Sequence, residues 1–158
     1  MHPNIEAVAA ALRAAGAEAE IRLLDDAVRT AAAAAEAVGV SVGQIANSLV
    51  FAAEYLDRTE PVLVLTSGAH WVDTAKVAAL LGAERLGRAT PEFVRGHTGQ
   101  PIGGVAPVGH PAPVRTLVDT ALAAYDVVWA AGGVPRAVFA TSYDELVRVT
   151  GGTPADVA

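Results

Sequence analysis

Between Ile102 and His110 the chain reads Ile-Gly-Gly-Val-Ala-Pro-Val-Gly-His, three glycines and a proline in nine residues with a histidine at the end. Glycine tolerates positive φ and lets a ligand approach the backbone, whereas Pro107 fixes φ and has no N–H to donate. Such a loop has a set shape and uncovered amides. Amides aimed at one point stabilise the negative charge that develops on a carbonyl during acyl transfer, each donor contributing about 2.7–4 kcal/mol. The same composition also describes an ordinary turn. The polar residues that could serve the loop have structural readings as well: Asn47 at a strand end, His110 as a solvated loop residue, Asp119 as a helix cap.

Other chemistries fit less well. The four histidines, His2, His70, His97 and His110, stand at no spacing that puts two on one helical face with a carboxylate, which argues against a metal site. The absence of cysteine excludes thiolate nucleophiles, zinc–thiolate sites and thiol redox motifs. Ser67-Gly68 lacks the earlier glycine of a nucleophile elbow, and no glycine pattern matches a Walker or dinucleotide fingerprint. Neither a metal nor a cofactor is therefore expected. The formal net charge is −6, and Lys76 is the one lysine beside ten arginines. That balance argues against a broad basic surface for DNA or RNA, while leaving room for a protein that grips only the end of an RNA.

The elements that must position these residues follow from pattern and punctuation. A first helix is expected from an Asn4 cap to about Ala15, then a short strand within Ala17–Leu24, and an alanine-rich helix over Ala31–Val38 between a Thr30 cap and Gly39. Ala46–Ala53 reads as a strand with Asn47 and Ser48 at its start. Val62–Thr66 is a continuous apolar run, as in a central strand covered on both faces. Helices are expected after Asp73 or Thr74 and after Thr90-Pro91, and strands at 114–118, 127–130 and 137–141. Asp119 is expected to cap a short helix through Tyr125, and a capping box at Ser142–Glu145 to open a last helix. The irregular mixture predicts one domain over residues 1–158, an α/β fold with a mixed, strongly curved sheet, a partial barrel, and surrounding helices. No apolar run approaches the roughly 20 residues of a spanning helix. With no leader pattern, a soluble cytoplasmic protein away from membranes is expected.

Several segments, taken in order, resemble the YbaK family of free-standing aminoacyl-tRNA deacylases, which are similar to the editing insertion of bacterial prolyl-tRNA synthetases. They are Thr30-Ala31 with its alanine helix, Gly43-Gln44-Ile45-x-x-Ser48-Leu49-Val50-Phe51, Val62–Leu65, and Val72-Asp73-x-x-Lys76-x-Ala78-x-Leu80. Thr98-Gly99-x-x-Ile102-Gly103-Gly104-Val105-x-Pro107-Val108-Gly109-His110 and Asp119-x-x-Leu122 complete the series. The resemblance implies a trans-acting hydrolase of the ester on a mischarged tRNA, with the substrate's own hydroxyl or side chain assisting. Its partners would be the aminoacyl-tRNA 3′ end and an aminoacyl-tRNA synthetase. By the same resemblance Asn47, Gly103 and Gly104 stand at the reacting ester, and Thr30, Ser48, Val105, Pro107, His110 and Asp119 bind the substrate.

Two positions depart from the family pattern. Asn47 stands where the best-known members carry a lysine, and Ala106 where a serine is common. Asparagine donates and accepts hydrogen bonds but brings no positive charge. Two functions are therefore expected in competition: a deacylase, and a non-catalytic relative that binds an aminoacyl end or another small ligand.

Overall fold

The computed structural model describes residues 2–158. Its spine is a long hairpin. Strand β2 (Ile45–Glu54) and strand β3 (Thr59–Ser67) pair antiparallel from Ala46 opposite Ser67 to Glu54 opposite Thr59. Alternation along β3 sends Leu63 and Leu65 into one apolar cluster and Val62 and Val64 into another on the opposite face, all four fully buried. The continuous apolar run of β3 thus reflects cover on both faces.

The first cluster is closed by α1 (Pro3–Ala14) through Val8 and Leu12, and by α5 (Tyr143–Thr150) through Leu146. The second is closed by α3 (Thr74–Leu81) through Val77 and Leu81, together with Val157. Two further helices, α2 (Ala31–Val38) and α4 (Pro91–Thr98), end on Gly39 and Gly99 in the left-handed region. Among the described residues no helix is long and apolar enough to cross a membrane.

The remaining strands are β1 (Ile21–Leu23), β4 (Arg85–Arg88), β5 (Arg115–Asp119), β6 (Val128–Ala131), β7 (Ala137–Thr141) and β8 (Thr153–Ala155). The sheet is mixed and eight-stranded, in the order β1-β7-β6-β2-β3-β5-β8 with β4 also on β2. It is not closed: β1 and β8 are its ends. Three pairs (β2–β6, β3–β5, β5–β8) are parallel and the other four antiparallel, in agreement with the mixed α/β class expected.

Differences from the expected elements have local causes. Helix α1 starts at Pro3 and its cap is His2, whose Nδ1 accepts from the Asn4 amide at 3.0 Å; proline suits the first helical position and displaces the cap by two residues. Asn4 instead donates from its side chain to Gly133 O at 3.1 Å. Only Ile21–Leu23 of the 17–24 segment is strand. At Ser142–Glu145 the hydroxyl accepts from the Glu145 amide, but the Glu145 carboxylate accepts from Thr141 Oγ1, so the box is half made. Strands β4 and β8 lack an apolar signature, and β8 contains Pro154, tolerated at a sheet edge.

Candidate functional site

Strand β2 carries β3 along one edge, but its other edge is shared. Strand β6 pairs only at Ile45 and Ala46, and β4 only from Phe51 to Glu54. Residues 47–50 therefore have no strand beside them on that edge, and a cleft opens where β2 and β6 part. Counted out to the solvent at its mouth, the cleft holds about 520 Å³ of empty space. Its walls are the start of β2 (Ile45–Ser48), the strands β6 and β7, helix α2, the segment Val28–Thr30, and the loop residues Gly103 and Val105.

Each wall has a local reason for its place. Thr30 caps α2 by accepting the Ala33 amide at 3.1 Å, which sets its hydroxyl at the rim. The alanine face of α2 allows close approach: a Cβ built on Gly68 would fall 2.7 Å from Ala31 Cβ and 2.5 Å from Val42 O. Much of the lining is apolar, with the small side chains of Ala31, Ala34, Ala130 and Ala137 beside Val38, Ile45, Val138 and Trp129. Ser48 is the exception, because its Oγ is buried and has no hydrogen-bond partner. Buried hydroxyls are rarely left so.

The glycine loop is folded over a buried side chain that the sequence reading passed over. Gln100, 1% exposed, accepts the Ala106 amide on Oε1 at 2.7 Å and donates from Nε2 toward Val108 O and Gly109 O. The Gly104 amide donates to Pro101 O at 2.9 Å. Gly103 has a φ of +85°, a conformation glycine accepts without steric cost. With the Gly104 and Ala106 amides engaged inside the loop, those of Gly103 and Val105, two residues of the cleft lining, have no partner among the described residues.

Five of the nine expected site residues meet at this cleft: Thr30, Asn47, Ser48, Gly103 and Val105. The other four lie elsewhere. Gly104 sits behind the wall against the Val134–Pro135 backbone. Pro107 and His110 line a separate depression beside Ala11 and Val149. His110 Nε2 lies 2.8 Å from Ala106 O, and burial holds the imidazole below its ordinary pKa against a smaller, opposing effect of that bond. Asp119, 1% exposed, accepts from the Ser67 amide (2.8 Å), His70 Nε2 (2.6 Å), Thr66 Oγ1 (3.3 Å) and the Ala121 amide (3.0 Å). Its reach to the cleft is indirect: Ser67 Oγ donates to Gly43 O and the Gly68 amide to Ile45 O, which holds the start of β2.

Electrostatically the cleft is nearly empty. Arg29 is the single ionisable side chain of its lining. Among the described residues no cluster of three or more His, Asp or Glu could hold a metal ion. The sequence reading also passed over Arg29 and Trp129, which have no motif spacing, and weighed His70 only as a metal ligand, since the fold alone joins it to Asp119.

Comparison with known proteins agrees with this architecture. The family described as the aminoacyl-tRNA editing domain matches residues 25–149. The proline–tRNA ligase of Nitratidesulfovibrio vulgaris strain DP4 is 38% identical over 95 residues, 60% of this chain; the matched part spans only 16% of the ligase. An uncharacterised Bacillus subtilis protein, YwhH, is 30% identical over 72% of this chain and 69% of its own length. A crystal structure described as a candidate trans-editing enzyme for prolyl-tRNA synthetase superposes with a TM-score of 0.88 at 42% identity, covering 99% of this chain and 98% of that one. With a family match over residues 25–149, most of its length, the chain belongs to the aminoacyl-tRNA editing domain family.

Proposed function

We propose that the protein hydrolyses the ester joining a wrongly attached amino acid to the 3′ end of a tRNA, acting in trans, with the aminoacyl group in the cleft beside Ser48. The observation that carries this reading is the buried, unpartnered Ser48 hydroxyl in a cleft that Gly103 and Val105, whose amides have no partner among the described residues, also line. These donors suit an ester carbonyl and the oxyanion it becomes. Water attacks the carbonyl carbon, the bond from that carbon to the ribose oxygen breaks, and the proton lost by water ends on that oxygen. The products are a free amino acid and a tRNA with its hydroxyl restored.

A lining whose one ionisable group is a guanidinium offers no base at neutral pH, which supports a substrate-assisted route in which a ribose hydroxyl or the amino acid itself orients the water. A lining rich in alanine and valine favours a small apolar side chain such as that of alanine. Asn47 brings a neutral residue to the cleft lining. A deacylation panel of mischarged tRNAs tests the proposal: hydrolysis above the buffer blank is expected for small aminoacyl groups, and a blank-level rate throughout rejects it.

A second reading rests on Asn47 itself. Without a positive charge at that point, the same cleft would serve a relative that binds an aminoacyl end and does not cleave it. A silent wild type in which Asn47→Lys gains activity would favour that reading, and loss of an existing activity in Asn47→Ala would exclude it.

A further inference from the structure

Against the cleft lies a second groove, and the two share Arg29 and Pro135. The groove is lined further by Leu23, Ala27, Val134 and Arg136, with His2 and Ile5 at the start of α1. No carboxylate is among its lining residues, in a chain of net charge −6. Asp25 and Asp26 line the adjoining depression with Arg22 and Val28, which meets the groove at Leu23. Leu23 is 54% exposed, an apolar surface without cover.

Two guanidiniums are held at defined places along this groove. The stem of Arg29 lies on Gly103, whose added Cβ would meet Arg29 Cγ at 3.0 Å, and Arg29 lines both groove and cleft. Arg136 donates from Nε to Leu24 O at 3.0 Å, which leaves its terminal nitrogens free to bind elsewhere. Neither arginine forms a salt bridge with a carboxylate among the described residues. Arginine pairs well with phosphate through its planar fork of donors.

We propose that this groove is the exit path of the RNA strand, binding the phosphodiesters that precede the esterified nucleotide. Arg29 takes the phosphate at the boundary and Arg136 the next one along. Leu23, Val134 and Pro135 give an apolar surface against which the face of an unpaired base packs. The inference rests on the reading of the cleft as the place of the aminoacyl end. It adds the direction in which the strand leaves and the side chains that grip it, which together let an acidic protein hold a polyanion through one short cationic track.

Titration with the trinucleotide CpCpA and with adenosine tests the proposal. Wild type is expected to bind CpCpA more tightly than adenosine, with log affinity falling against log salt by about 0.7 per phosphate contacted. Arg29→Gln and Arg136→Gln should each weaken CpCpA about three- to tenfold and flatten that slope, and Arg136→Gln should leave adenosine binding unchanged. Equal affinity for CpCpA and adenosine, no measurable CpCpA binding, or variants that melt like wild type and keep its CpCpA affinity would each overturn the groove. Deacylation by the same proteins separates the two readings. A silent wild type with arginine-dependent CpCpA binding rejects hydrolysis and keeps the groove, whereas an active wild type whose kcat/KM is unmoved in both variants rejects the groove and keeps hydrolysis.

Discussion

The aliphatic stem of Arg29 rests on Gly103: a Cβ placed there would lie 3.0 Å from Arg29 Cγ and 3.2 Å from Arg29 Cβ, on a backbone with φ of +85°. Gly103→Ala therefore meets two penalties, a left-handed conformation costing about 1–2 kcal/mol and a side chain that must shift. The neighbouring glycine differs. A Cβ on Gly104 would fall 2.7 Å from the Val134 carbonyl carbon, which is backbone and gives little. Gly103→Ala is expected to lower kcat/KM for deacylation at least tenfold with a modest loss of melting temperature. Gly104→Ala should lower the melting temperature more. Thermal unfolding and initial rates on the two variants check the contrast, and equal effects on both quantities would contradict it.

Ser48→Ala separates a ligand-binding hydroxyl from a structural one. Its Oγ is buried without a partner, and an unsatisfied buried group costs about 1–3 kcal/mol. Replacing it with a methyl should leave stability unchanged or raise it while deacylation slows. A variant that is both less stable and fully active would show that the hydroxyl serves the fold.

Asp119 is expected to act on stability first. Four donors converge on it, from Ser67, His70, Thr66 and Ala121, and it is 1% exposed. In Asp119→Asn one oxygen remains and an NH2 group faces donors, at a cost of about 2–4 kcal/mol. That corresponds to roughly 5–15 °C in melting temperature for a chain of this size. Activity should fall in step, because Ser67 links this carboxylate to Gly43 and the start of β2. A variant of unchanged stability that loses activity would instead make Asp119 a substrate ligand.

Much of this fold can be read from sequence where the signal is local. Thr30 and Gly39 bracket Ala31–Val38, and Asp119 opens the short 3-10 turn Thr120–Ala124, because capping uses side chains two or three residues away. The apolar run of β3 announces cover on both faces. Strand β4, Arg-Leu-Gly-Arg, does not announce itself, since its pairing comes from β2 and its one buried apolar side chain is Leu86. The site divides in the same way. Motif order brings Thr30, Asn47, Ser48, Gly103 and Val105 together, but the division of amides within the loop depends on Gln100 turning inward, and the Arg29 position on a segment about 70 residues away in sequence. Proximity in a motif placed Gly104, Pro107 and His110 beside Gly103, whereas the loop folded over Gln100 sets Gly104 against the Val134–Pro135 backbone and Pro107 and His110 in another depression.

His110 gives the protein a pH signature that is independent of catalysis. Its ring is partly buried with Nε2 at 2.8 Å from Ala106 O, and burial lowers its pKa from the ordinary 6.5. As pH falls, the unfolded chain takes up the proton first, so the unfolded state binds more protons and stability declines. The contribution of His110 is complete above about pH 6.5 and is lost as pH falls from there through the lower folded value. His110→Gln can keep a donor toward Ala106 O without a group that titrates in this range. Urea midpoints measured against pH should show the advantage of wild type over His110→Gln greatest above pH 6.5 and shrinking below it. An advantage that grows on acidification would mean that the folded protein stabilises the charged imidazolium.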